Sequence, residues 1–253
     1  MIGIFDSGSG GLTVLRAIRT MLPSVDVLYY GDIKNAPYGS RSRDELSALT
    51  VNAMRYLSDH GARSVVSACN SVSASLAISL FDALSIAPDM LVEMVGPTVS
   101  YFKGSSARVL LVATPATIDS SIYQSAFMMI GKKIDALAIP DLAGAIEFGK
   151  PDAEVEAIIR AILLTVDWSH YDVLVLACTH YPLAAQIFRT VVPGHIIILD
   201  PAILVAERVE SRFWPREAGD GKTHFVITKD SAPFRHFASE LFPDTQYEIE
   251  VIE

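Results

Sequence analysis

The sequence predicts an α/β protein with two similar parallel-sheet domains, and three observations carry that prediction. Short β-branched apolar runs alternate with longer segments of helical period along most of the chain. The runs are apolar at consecutive positions, as in strands covered by helices on both faces. Two of them also end alike: Ser64-Val-Val-Ser-Ala-Cys69-Asn70-Ser71 and Asp172-Val-Leu-Val-Leu-Ala-Cys178-Thr179-His180 hold the only two cysteines of the 253 residues.

Ile2 to Phe5 reads as the first strand, and Leu12, Leu15, Ile18, Arg19 and Leu22 follow it as one face of a helix. Val25 to Tyr30 is the second strand. Leu46, Leu49, Ala53, Met54 and Leu57 mark a second helix, leading to strands at Ser64 to Ala68 and Leu91 to Val95. Pro97 and the cluster Gly104-Ser-Ser106 interrupt the pattern, which places a domain boundary near residues 95 to 106. Arg108 to Ala113 then begins a new series, continued by Ile134 to Ile139, Val173 to Ala177 and Ile196 to Leu199, with Val155, Ile158, Ile159 and Ile162 as a helical face between them. Ile4-Phe-Asp-Ser-Gly and Leu111-Val-Ala-Thr-Pro each close a strand in small hydroxyl residues well ahead of a strand that ends in Cys. The chain thus reads as two related halves.

Hydrophobic residues make up 51% of the chain and charged residues 19%, a composition that folds compactly. The net charge of −9 disfavours nucleic acid and anionic membrane surfaces as partners, and Lys132-Lys133 is too short for a basic patch. The strand-like start leaves no room for a secretory signal, and no apolar stretch approaches the roughly 18 to 20 residues that span a bilayer. A soluble, cytoplasmic protein with reduced cysteines is expected.

In open α/β sheets ligands sit beyond the carboxyl ends of strands. Polar residues gather at five such ends: Asp6-Ser7-Gly8-Ser9-Gly10-Gly11, Asn35-Ala-Pro37-Tyr38-Gly39-Ser40, Cys69-Asn70-Ser71, Thr114-Pro-Ala-Thr117 and Cys178-Thr179-His180. These ends predict one cleft.

Two matching thiols facing one cleft suit a symmetric task, the removal of a proton from one face of a carbon acid and its return on the other. One sulfur must then be thiolate and the other thiol, and an ordinary Cys pKa of about 8.5 is close enough to neutrality for that. Alternatively, each cysteine is a small buried hydrophobe, or the two form a redox disulfide pair. The Gly-rich segment Ser7 to Gly11 follows a strand and opens a helix, so its N–H groups could hold a small carboxylate, or it is a plain tight turn. It lacks the Gly-x-Gly-x-x-Gly spacing of dinucleotide sites and the Lys of a P-loop.

Asp6 could orient or deprotonate a thiol, or cap the next helix; His180 could serve Cys178 in the same way. Tyr38, Gly39, Asn70, Ser71, Thr114, Thr117 and Thr179 offer donors that suit an amino acid's carboxylate, and each is also a common turn or cap residue. His60, His170, His195, His224 and His236 are scattered and imply no metal site. Trp168, Trp214 and Met128-Met129 read as packing.

The stretches Ile2-Gly-Ile-Phe-Asp6-Ser7-Gly-Ser-Gly-Gly-Leu-Thr-Val-Leu15, Tyr30-Gly-Asp32, Ala36-Pro-Tyr38-Gly39, Ala68-Cys69-Asn70, Ala113-Thr-Pro-Ala-Thr117 and Ala177-Cys178-Thr179-His180-Tyr-Pro-Leu183 closely resemble the glutamate racemases of the aspartate/glutamate racemase superfamily. The resemblance implies a cofactor-independent enzyme, with two domains related by a pseudo-two-fold axis and the active site in the cleft between them. Cys69 matches the residue that takes the proton from D-glutamate, and Cys178 the one that takes it from L-glutamate. Asp6 and His180 match their assistants, and Glu147 in Ile146-Glu-Phe-Gly149 a further acidic residue. Ser7, Tyr38, Gly39, Asn70, Ser71, Thr114, Thr117 and Thr179 match positions that hold substrate. The resemblance also implies that the chain returns to the first domain near its end, giving domains of 1–97 plus about 207–253 and of 98–206. It further implies a glutamate substrate and D-glutamate supply for peptidoglycan, and it allows a homodimer.

Three departures stand out. Ser71 replaces the usual Thr, Phe148 replaces a frequent second Glu, and Val95-Gly96-Pro97-Thr98 replaces Gly-Val-x-Glu-Pro-Gly, with no acid at that place. They leave open a racemase for aspartate or another acidic compound, or a protein-binding regulator that keeps the fold.

Overall fold

The computed structural model describes residues 1–73 and 87–252. Among them the strands are β1 Ile2–Asp6, β2 Val27–Gly31, β3 Ser64–Ser67, β4 Leu91–Glu93, β5 Val109–Ala113, β6 Asp135–Ala138, β7 Val173–Leu176, β8 Ile197–Leu199, β9 Thr223–Ile227 and β10 Tyr247–Val251. They form a six-stranded sheet in the order β10-β9-β2-β1-β3-β4 and a four-stranded sheet in the order β6-β5-β7-β8, with parallel pairing throughout.

The internal symmetry is visible in those orders. Each half starts from a central strand, β1 or β5, with the second strand on one side and the third and fourth on the other. Phe5 of β1 lies opposite Tyr30 and Ser67; Leu111 of β5 lies opposite Ala136 and Val175. The cysteines leave equivalent strands, β3 and β7, and β9 and β10 extend only the first sheet.

Alternating side chains of one strand feed two cores, because both faces of each sheet are covered. Ile2 and Ile4 enter one core of the first sheet and Phe5 the other. Leu110 and Val112 enter one core of the second sheet, and Val109, Leu111 and Ala113 the other.

The helix Leu12–Met21 buries Leu12, Val14, Leu15 and Ile18, each worth ~1.5–3 kcal/mol of apolar transfer, and Pro23 stops it. Ser42 and Glu45 make a reciprocal capping box that starts the helix Arg43–Asp59. The helix Ala202–Phe213 packs Ala202, Val205, Ala206, Val209 and Phe213 into the same core as Leu15 and Ile18. The expected return point at about 207 lies within this helix. No helix among the described residues is long and apolar enough to cross a membrane.

Several local expectations differ from the structure. Val25 precedes β2 and forms an isolated antiparallel bridge with Ala218. The strand expected to run to Val95 ends at Glu93, because the Glu93 carboxylate accepts the Val95 and Gly96 N–H groups, each at 2.6 Å, and turns the chain into the helix Val95–Tyr101. An acidic side chain thus does serve this corner, from β4. Pro97 sits in the first turn of that helix, where a missing N–H leaves no hydrogen bond unmade. Met128 and Met129, read as packing, are 66% and 88% exposed, and Trp214 is exposed too. Trp168 packs at the edge of the second domain's core.

Candidate active site

The exits of β1, β3, β5 and β7 and the loop after β2 converge on one tight pocket whose free volume, about 10 Å³, is scarcely that of a single water. Of the expected site residues, Ser7, Tyr38, Gly39, Cys69, Asn70, Ser71, Thr114, Cys178, Thr179 and His180 line it, joined by Pro37 and Ala143. Asp6, Glu147 and Thr117 stand behind this wall. Thr117 hydrogen-bonds the Thr114 hydroxyl at 3.1 Å, and Thr114 in turn meets the Ser71 hydroxyl at 2.9 Å, which links the two halves across the cavity.

The Gly-rich turn is tied to carboxylates of the chain itself. Gly8 N donates to Asp6 Oδ1 at 2.8 Å, and Ser9 N donates to Glu147 Oε2 at 2.7 Å, so these two N–H groups are already engaged. The expectation that they hold a substrate anion is corrected to that extent. The Ser9 hydroxyl adds a bond to Glu147 Oε1 at 3.1 Å. A Cβ on Gly8 would lie 2.5 Å from the Glu147 carboxylate, and one on Gly10 would lie 2.5 Å from Thr179 Oγ1 and 2.6 Å from His180 Nδ1. Only glycines allow this first-half turn to lie against the second half.

Asp6 does not cap the following helix, whose N-cap is Gly11 without a side-chain bond. It also accepts the Thr179 hydroxyl at 3.0 Å, a second bridge between the halves. Burial raises its pKa above the ordinary value, against the opposing pull of His180 and of the Gly8 and Gly11 N–H groups.

The two thiols are free, buried and differently attended. Cys69 Sγ lies 3.7 Å from Ser7 Oγ. Burial, followed by the nearby Asp6 charge, pushes its thiol pKa up to about 12, so Cys69 rests as a neutral thiol. Cys178 Sγ lies 3.9 Å from His180 Nδ1, and His180 Nε2 lies 2.6 Å from Glu147 Oε2. Burial alone would keep His180 neutral; its hydrogen bonds to Cys178 and Glu147, and their charges, hold its pKa well above the ordinary imidazole value. One thiol therefore carries its own proton, and the other faces an imidazole whose charged form its neighbours favour.

Three residues that complete the site were given no role from the sequence. Ser9 anchors Glu147. Asp32, at the exit of β2, accepts the Tyr38 hydroxyl at 2.5 Å, the Thr228 hydroxyl at 2.8 Å and the Asn35 amide at 3.0 Å, and so positions the loop that carries Tyr38 and Gly39. Tyr123, deep in the second half, donates to Asn70 Oδ1 at 2.6 Å. Asp32 carried a usable signal, a polar residue ending an apolar strand; Tyr123 carried none.

A family model described as Asp/Glu/Hydantoin racemase matches residues 3–209. A glutamate racemase of Koribacter versatilis is 35% identical over 216 residues, covering 84% of this chain and 74% of that protein. Among solved structures, the glutamate racemase isoform RacE1 of Bacillus anthracis superposes with a TM-score of 0.88 at 26% identity, covering 100% of this chain and 97% of that one. The glutamate racemase of Francisella tularensis, solved in complex with D-glutamate, gives a TM-score of 0.85 at 25% identity, with coverage of 100% and 97%.

Proposed function

The chain belongs to the Asp/Glu/Hydantoin racemase family and is an isomerase, and on that footing we propose that it interconverts L- and D-glutamate without a cofactor, using Cys69 and Cys178 as its two proton-transfer groups. The observation that carries this reading is the pair of buried thiols at equivalent strand exits, both lining one tight pocket. The choice of glutamate is supported by the names of the similar enzymes and by the D-glutamate bound to the Francisella tularensis protein.

In this reading Cys178 takes the Cα proton of L-glutamate and Cys69 delivers its own to the opposite face, which gives D-glutamate. The reverse reaction exchanges the roles. A thiol held neutral by burial is suited to act first as the acid. His180, kept positive by Glu147, would steady negative charge on Cys178, and Asp6 would steer the Cys69 proton.

The developing carbanion needs stabilisation from fixed donors in a site that excludes water. Ser7, Asn70, Ser71, Thr114 and Thr179, with the Tyr38-Gly39 turn, would supply those donors, and Thr117 would hold Thr114 in place. The domains of this reading are residues 1–97 with about 207–253, and 98–206, closing on the substrate. The D-glutamate product would supply peptidoglycan synthesis.

Exchange of the Cα proton in D2O tests the proposal. Wild type should place one deuterium in the product of opposite configuration from either glutamate enantiomer, while Cys69→Ser and Cys178→Ser should each lose racemisation. Folded wild-type protein that exchanges neither enantiomer would overturn it, and exchange confined to aspartate would reassign the substrate.

A further inference from the structure

Asn70 lines the cavity, is 2% exposed and has an amide nitrogen without any hydrogen-bond partner among the described residues. Buried polar groups are almost always paired, so an N–H group left unpaired at a cavity wall marks a place where a ligand acceptor belongs. The other end of the same amide is occupied, because the Tyr123 hydroxyl donates to Asn70 Oδ1 at 2.6 Å.

Tyr123 is itself fully buried, on the helix Ile122–Met129, among Val95, Val99 and Phe127. Burial drives its phenol pKa far up, so the group stays a donor. An amide turned the other way would meet the phenol with its NH2 group, leaving the phenol proton without this acceptor, and would turn its oxygen toward the cavity, where it would repel a carboxylate.

From this geometry we infer that Tyr123 is a positioning residue: its hydroxyl locks the Asn70 amide so that Nδ2 points into the cavity and donates to a carboxylate oxygen of the substrate. The inference rests on the glutamate racemase reading of the cavity. It makes the second half responsible for orienting a first-half binding group, since Tyr123 and Asn70 sit on opposite sides of the domain boundary at 97. Thr98, in the segment that departs from the resembled motif, stands near enough to influence the same phenol, while its own hydroxyl donates to Met94 O at 2.6 Å.

The test is a double-mutant cycle on steady-state racemisation of both glutamate enantiomers. Tyr123→Phe keeps the ring and removes the donor. It should raise KM by about two- to tenfold with kcat within about twofold, the size of one net hydrogen bond. In an Asn70→Ala background the same change should leave KM unaltered, because the amide it orients is gone. An unchanged KM in folded Tyr123→Phe, or an equal rise in the Asn70→Ala background, would overturn the inference.

A measurement on the unmutated protein covers the case of a misfolded variant. The side-chain NH2 signals that disappear from the NMR spectrum in Asn70→Ala should shift in wild type when D-glutamate is added. Bound D-glutamate that leaves them unmoved would overturn the inference. Wild type that neither binds nor racemises glutamate would instead bring down the functional reading, and the inference with it.

Discussion

Replacing Glu147 with Gln removes one negative charge from the site and keeps the shape of the side chain. The Gln oxygen can still accept from Ser9 N and its NH2 group can donate to the Ser9 hydroxyl, so the anchor between the halves is retained. What disappears is the carboxylate that faces His180 Nε2 at 2.6 Å. Burial opposes the charged ring, and the hydrogen bonds and charges of Cys178 and Glu147 overcome it, with Asp6 as a further negative neighbour. Without Glu147 burial has less opposition, and the His180 pKa falls.

A hydrogen bond to a charged group contributes about 1.5–3 kcal/mol, so kcat should drop by about 10- to 100-fold if the imidazolium serves Cys178 as proposed. The sign of the pH dependence follows from the raised folded-state pKa. Stabilisation by the pair is fully present below the unfolded value of about 6.5 and is lost as pH rises through the folded value. The difference in urea-unfolding free energy between wild type and Glu147→Gln should therefore shrink as pH rises above about 6.5. Titration of the His180 ring by 15N NMR in both proteins reads the shift directly. A His180 that titrates at the same pH with and without the carboxylate would refute the reasoning.

Three other perturbations have defined outcomes. Cys69, with its thiol pushed up to about 12, should be alkylated by iodoacetamide at a rate still rising at about pH 10, which peptide mass spectrometry can follow; a plateau near the ordinary pKa of about 8.5 would contradict this. Gly10→Ala places a Cβ 2.8 Å from the His180 backbone nitrogen, which cannot swing aside, so a loss of ~1–3 kcal/mol in urea unfolding and of racemisation is expected; Gly194→Ala, with nothing within 4 Å, should change neither. Met129→Lys, at a position 88% exposed, should leave the unfolding free energy within about 0.5 kcal/mol of wild type, and a larger loss would mean that this residue packs after all.

The alternation of strands and helices was legible because each central strand is buried on both faces and so must be apolar at successive positions. β9 and β10 escaped notice for complementary reasons. β10 is an edge strand whose Glu248 and Glu250 alternate with Tyr247, Ile249 and Val251, a period-two pattern that reads as polar on average. β9 has only Phe225, Val226 and Ile227 as a continuous apolar run. Met128 and Met129 were misread because a hydrophobic residue on a helix carries no sign of which way it faces.

The order of elements, the two halves and the paired thiols at strand exits are local properties, written in periodicity and in the residues that end each strand. Which polar groups then meet is not local. Glu147 reaches Ser9 across 138 residues, Asp6 takes the Thr179 hydroxyl across 173, and Tyr123 turns the Asn70 amide across 53. Those pairings depend on two sheets packing at one angle and on glycines that let the first turn lie against the second half. The chemistry available to Cys69 and Cys178 follows from that packing, because the same thiol is an inert hydrophobe or a proton carrier according to the charges and hydrogen bonds that burial brings to it.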